Sequence, residues 1–154
     1  MMMASPWLLP LPRVLVSHHN LNSSGISLTG CIWVGLLLAY CALIFYLSNQ
    51  PMLPVPHLFN MQDKLIHAAA YAVLALLTWQ AGHYFLQTDS SSNLTKLALF
   101  TIIFSALYGA SDEWHQSFVA GRDASFFDWI ADTAGALLLT LTLWRREVVA
   151  IGRE

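Results

Sequence analysis

The stretch from Gly30 to Leu47, GCIWVGLLLAYCALIFYL, contains no charged residue and no proline. As an α-helix it would rise about 27 Å, close to the roughly 30 Å hydrocarbon core of a bilayer. It is apolar all the way round, so it reads as a membrane span and not as an amphipathic surface helix. Ser48-Asn49-Gln50-Pro51 ends it with turn chemistry, and Pro51, Pro54 and Pro56 keep the following loop out of helix.

Three further apolar runs follow: Leu65 to about Phe85, Leu94 to Tyr108 with helix continuing towards Phe118, and Phe126 to Trp144. The Ser-rich stretch Gln87 to Asn93 and the turn Ala120-Gly121-Arg122-Asp123-Ala124 separate them. The predicted fold class is all-α: a polytopic membrane protein built as a four-transmembrane-helix bundle. Residues 1–28 are expected to form an irregular tail, 29–146 the membrane domain and 147–154 a short C-terminal tail. Within the first tail, Trp7 to Val16 is apolar but too short to span, and Pro10 and Pro12 break it.

Composition agrees. The 154 residues are 56% hydrophobic and only 10% charged, with a mean hydropathy of +0.55. A soluble domain carries about 25% charge. Seven Lys and Arg with nine Asp and Glu cannot cover a water-facing surface of this size. This argues against a soluble enzyme, a DNA-binding domain and a disordered regulator. A net charge of -2 leaves no basic face for nucleic acid. Cys31 and Cys41 are about 15 Å apart on a helix and cannot bridge. Leu28-Thr29-Gly30-Cys31 looks superficially like a lipidation box, but the upstream stretch is polar where an apolar segment is required.

Lys and Arg near the span ends set the expected orientation. Arg13, Lys96, Arg145, Arg146 and Arg153 share one side with both termini, and Lys64 and Arg122 lie on the other. The termini and the Gln87 loop are therefore expected in the cytoplasm. Under this topology Asp63, Lys64, His67, Asp112, Glu113, His115, Gln116, Arg122, Asp123, Asp128 and Asp132 all gather towards the outer ends of spans two, three and four. Ser48 and Gln50 join them from span one, and the inner half of the bundle reads as almost purely apolar.

Some of these residues have simple structural readings. Asp63 can cap span two, and Ser125-x-x-Asp128 fits a capping box opening span four. Asp89 and Asp123 read as solvated loop charges, and His18, His19, His57 and His83 receive no role. Four features resist such readings. Asp132 lies one turn below Asp128, near the middle of an apolar span, where a carboxylate needs a partner or a proton. Asp63, His67 and Tyr71 form a stripe at intervals of four. Tyr108, Asp112 and Gln116 repeat it on span three, flanked by Glu113 and His115. Arg122 follows, a planar donor suited to carboxylate or phosphate. Ionisable groups at membrane depth cost roughly 2.5–3.5 kcal/mol each on insertion scales and mark functional sites. The three stripes are expected to converge in one outer-facing cavity, with Arg122 folded over its mouth. Spans two and four also begin on the outer side, where their N-termini favour anions.

These motifs, taken in order, carry a family resemblance. Asp63-Lys64-x-x-His67-x-x-x-Tyr71, Tyr108-Gly109-x-x-Asp112-Glu113-x-His115-Gln116-x-Phe118 and Gly121-Arg122-x-x-Ser125-x-x-Asp128-x-x-x-Asp132-x-x-Gly135 closely resemble the VanZ-like family, from about Ser48 to Leu139. That family is named after a bacterial protein associated with teicoplanin resistance. The resemblance implies a multi-pass protein of the bacterial cytoplasmic membrane and cell envelope, and it implies no known reaction. Many members carry Asn where this chain has Asp132.

Two readings of function stay open. In the first, the outer site binds or modifies an anionic lipid-linked or cell-wall-precursor ligand. Arg122 and Lys64 hold the anion, and Asp112, Glu113, His67 and His115 are candidate acid–base groups. Gln116, Tyr71, Asp63, Asp128 and Asp132 complete the ligand-binding set. In the second, the protein is non-catalytic and organises lipid, its polar cluster being a helix-packing network. Neither a Gly-x-Ser-x-Gly nor a His-Glu-x-x-His motif is present. A metal site from His67, His115, Asp112 and Asp132 would draw on three helices with no diagnostic spacing, so no metal or cofactor is assigned. Membrane lipids are the expected partners, with self-association as a further expectation.

Overall fold

The structure, a computed structural model, describes residues 28–51, 59–86, 88 and 90–153. The expected tail at 1–27, Pro54, Pro56, His57, Gln87 and Asp89 lie outside these residues. Four helices make up the described chain: α1 (Leu28–Ser48), α2 (Gln62–Gly82), α3 (Ser91–Gln116) and α4 (Phe126–Ile151). All four are long and apolar enough to cross a membrane.

Sequence chemistry explains most boundaries. α1 ends where Gln50 Nε2 turns back to the Tyr46 carbonyl at 3.1 Å ahead of Pro51. α3 opens on Ser90, whose hydroxyl accepts the Asn93 N–H at 3.3 Å. Several boundaries differ from expectation: α2 and α3 each begin three residues early, at Gln62 and Ser91. α2 stops at Gly82, because His83 to Phe85 turn instead of continuing the helix. α4 continues past Arg145 and Arg146 to Ile151, so most of the expected C-terminal tail is helical. At 26 residues each, α3 and α4 rise about 39 Å and outlast the hydrocarbon core. Their polar ends therefore stand at or beyond the interface.

Two capping expectations are corrected. The cap of α2 is Met61, in the left-handed region at φ 72°, and Asp63 sits in the first turn. Ser125 occupies the N-cap position of α4 without a side-chain cap hydrogen bond, and Asp128 does not reach back to it. The Ser125 N–H is bonded instead by Glu113 of α3, with Oε2 at 2.7 Å. Asp128 is drawn away by Lys64.

α4 lies parallel to α2 and antiparallel to α3. Lys64 meets Asp128, His67 meets Asp132, and Trp79 meets Glu147 down the α2–α4 seam. Gly135 makes this seam possible: a Cβ there would overlap the Ala68 backbone carbonyl. Lipid tails are as apolar as leucine, so helices associate in a membrane by close packing and hydrogen bonds, and small residues at the seam are what close packing requires. Away from the polar end, Trp79, Leu94, Leu97 and Ala98 are buried against Leu143, Trp144 and Val148. α1 is peripheral. It leans on α2 and α3 and makes no contact with α4 among the described residues. Tyrosines tether it: the Tyr40 hydroxyl donates to Ala70 O at 3.0 Å, and Tyr108 donates to Cys41 O at 2.7 Å. Trp114, Phe118, Phe126 and Phe127 stand exposed around one end of the bundle, as aromatic residues do at a membrane–water interface.

Candidate functional site

The same end carries the polar groups. α1 and α3 finish there, and α2 and α4 begin there. Asp112, Glu113, Gln116 and Asp132 are all buried, Asp132 completely. The centre is a pair: His67 Nδ1 lies 3.0 Å from Asp132 Oδ1. The other Asp132 oxygen, Oδ2, is buried with no hydrogen-bond partner among the described residues. Glu113 repeats the pattern, with Oε2 on the Ser125 N–H and Oε1 buried and unpartnered. Tyr71, 2% exposed, leaves its hydroxyl unpartnered as well. Gly109 holds these groups close. A Cβ there would stand 3.2 Å from Asp132 Oδ2 and 3.2 Å from the Tyr71 ring. One ligand atom from each of His67, Glu113 and Asp132 lies within 4.8 Å of the others, so these three side chains could hold a metal ion.

Around this centre the remaining predicted residues take separate places. Lys64 bridges Asp63, at 2.8 Å, and Asp128. The Asp63 side chain is 61% exposed and marks the rim. Asp112 bonds Gln116 Nε2 at 3.2 Å, next to the Ser48 hydroxyl. Three residues do not join the centre. Arg122 does not fold over the mouth: it donates to the Leu47 carbonyl at 3.0 Å, which a helix C-terminus leaves without an intrahelical donor. His115 packs its ring on Phe45 of α1, with centroids 4.6 Å apart. Tyr108 turns its hydroxyl to α1 instead of extending the Asp112 stripe.

Two clefts flank the centre. One of about 350 Å³ runs between α1 and α3, with Phe45, Trp114 and Phe118 as walls and Asp112 and His115 as its polar part. The second, about 450 Å³, is lined by Met61, Phe127, Ile130 and Ala131 with Lys64. Both are apolar except where they meet the network.

An interhelical hydrogen bond in a membrane contributes about 0.6–2 kcal/mol. Asp132 makes one such bond, to His67, and Glu113 and Tyr71 add further unsatisfied groups among the described residues. A half-buried imidazole hydrogen-bonded to a carboxylate, as His67 is to Asp132, can hold and pass a proton to a group placed beside it.

Sequence reasoning missed a second polar group at the opposite end. Glu147 accepts from Trp79 Nε1 at 3.0 Å and lies 3.1 Å from His83 Nε2, while His83 Nδ1 is 2.8 Å from the Thr88 hydroxyl. Placing Glu147 in a tail hid this group. A signal was present in His83, which stands one helical turn after Trp79.

A family profile described as VanZ/LLP1 matches residues 32–147. No curated protein and no solved structure matches the chain.

Proposed function

The chain belongs to the VanZ/LLP1 family, and from that premise we propose that it binds or modifies an anionic, lipid-linked ligand of the bacterial cell envelope. The polar end would face outward and both termini the cytoplasm. The observation that supports this is the cleft between α2 and α4, with apolar walls of Met61, Phe127, Ile130 and Ala131 and the Lys64 ammonium beside them. Such a cleft suits an acyl or polyprenyl chain with an anionic head. An ammonium has three donors. Two serve Asp63 and Asp128, which leaves one for a phosphate or carboxylate oxygen. The His67–Asp132 pair, one helical turn deeper, is the candidate proton-transfer group, with Glu113 and Asp112 beside it. A role in susceptibility to teicoplanin-like antibiotics fits this site, because those compounds act on envelope precursors and carry a lipid tail. That link rests on family association alone.

The experiment is lipid profiling of envelope precursors in cells that lack the gene, restored with the wild-type chain or with His67→Gln. An accumulated or altered lipid-linked species in the null strain, corrected by wild type and not by an equally abundant His67→Gln chain, is the expected result. Unchanged precursors in the null strain would sink the reading.

One observation favours the non-catalytic alternative. Both basic residues at this end are engaged in packing, Lys64 across α2 and α4 and Arg122 on the end of α1. If Arg122→Ala and Glu113→Gln both lower protein abundance in step with phenotype, the cluster is a folding network.

A further inference from the structure

We propose that His67, Glu113 and Asp132 form a binding site for a divalent transition-metal cation, Zn²⁺ or Mn²⁺. The three residues come from three helices, α2, α3 and α4, which is why no ligand spacing shows in the sequence. This set differs from the one suggested by residue type, since Glu113 takes part and Asp112 and His115 do not.

Geometry comes first. The three ligand atoms lie within 4.8 Å of one another. Ligands about 2.0–2.2 Å from a tetrahedral zinc stand roughly 3.5 Å apart. Closure therefore needs side-chain adjustments of about an ångström and no helix movement.

Unspent acceptors are the second observation. Asp132 Oδ2 and Glu113 Oε1 are buried acceptors with no hydrogen-bond partner among the described residues, on side chains at least nine-tenths buried. The large majority of buried side-chain polar atoms have a hydrogen-bond partner in native structures. A cation satisfies both at once.

Charge is the third. Asp112, Glu113 and Asp132 are buried beside one half-buried imidazole, while Lys64 is divided between Asp63 and Asp128, and Arg122 is turned to the Leu47 carbonyl. A carboxylate buried at low dielectric takes up a proton or is balanced nearby, and a divalent ion supplies that balance where no basic side chain among the described residues does. One imidazole with two carboxylates suits Zn²⁺ or Mn²⁺ better than Mg²⁺ or Ca²⁺, which prefer oxygen alone. Three protein ligands leave a coordination position open. If the anionic-ligand reading above holds, that position lets an anion enter a site lined by carboxylates; this last step rests on that reading, and the cation site does not.

The full chain, purified in detergent and monodisperse, is loaded with Zn²⁺, desalted and assayed for metal. Wild type is expected to retain about one Zn²⁺ per chain, and His67→Gln and Glu113→Gln under about a tenth of that. Asp63→Asn on the rim and His83→Gln at the opposite end retain it in full. His67→Cys, made in a Cys31→Ser, Cys41→Ser background and loaded with Co²⁺, is expected to show a thiolate-to-metal absorption band that the parent lacks. This readout reports ligation and not folding. A wild-type chain retaining under a tenth of an equivalent, or monodisperse His67→Gln and Glu113→Gln chains retaining it fully, overturns the proposal. Adding dodecyl phosphate to the Zn²⁺-loaded chain separates the two readings. Stoichiometric metal with no uptake of the amphiphile upholds the cation site and defeats the anionic-ligand reading.

Discussion

An imidazole–carboxylate pair stands at each end of the α2–α4 seam, and the two are finished differently. At the C-terminal ends of these helices, Glu147 uses one oxygen on Trp79 and the other on His83, and His83 uses its second nitrogen on Thr88. At the N-terminal ends, Asp132 uses one oxygen on His67 and Glu113 uses one on the Ser125 N–H, and each leaves its other oxygen buried with no partner among the described residues. The first arrangement is closed by the chain's own atoms, and the Glu147 side chain is 36% exposed, so water can complete it. The second lies deeper, and among the described residues nothing completes it. Composition alone does not separate the two; the accounting of hydrogen bonds does.

Both pairs depend on one close approach, so the comparison breaks most severely at Gly135. Gly135→Val should force α2 and α4 apart and destabilise the bundle by about 3 kcal/mol or more, because the new side chain meets backbone that cannot yield. Unfolding in mixed micelles should show it. Wild-type stability in that variant would mean the helices do not meet as described.

The closed end should carry stability and little else. Glu147→Leu strands the Trp79 and His83 donors at a cost of about 1–3 kcal/mol, with function per folded molecule unchanged. If activity falls while abundance holds, the two ends are not different in kind.

The open end should do the reverse. Asp132→Asn keeps the hydrogen bond to His67 and should shift stability by under about 1 kcal/mol, yet it removes the charge that a cation or proton transfer requires. Function or metal retention should drop at normal abundance. Retention of both activities by the Asn chain would leave Glu113 and His67 as the whole of the site.

The smallest expected effect is on stability and the most direct on topology. With Cys31 and Cys41 replaced by serine, cysteines at Ala124 and Ser91 should barely perturb the fold, since both positions are exposed. Ala124→Cys should react with an impermeant thiol reagent in intact spheroplasts, and Ser91→Cys should react only after lysis. The opposite pattern would turn the polar end towards the cytoplasm.

Much of this was readable from residues alone. The uncharged run at Gly30 to Leu47 and three apolar successors specify a four-span bundle, because a segment without polar groups has no stable place in water. Asp132 stood out because a carboxylate at membrane depth needs a reason, and the interval of four between Asp128 and Asp132 placed both on the face that meets Lys64 and His67. Local chemistry also marked Ser125 as a helix start.

Tertiary structure decided what depends on a second helix. That Glu113 rather than Asp128 bonds the Ser125 N–H, that Arg122 serves the end of α1 and not the carboxylates, and that His115 stacks on Phe45 are choices among competing partners of similar strength. Spacing along one helix tells which residues share a face. It does not tell which neighbouring helix that face meets, because crossing and rotation are set by where small residues such as Gly135 let two backbones touch. The sequence by itself determined the spans and the presence of buried charge near one end. Only the packed bundle determined which charges are answered and which remain open, since hydrogen-bond satisfaction belongs to pairs of atoms brought together across helices and not to either helix alone.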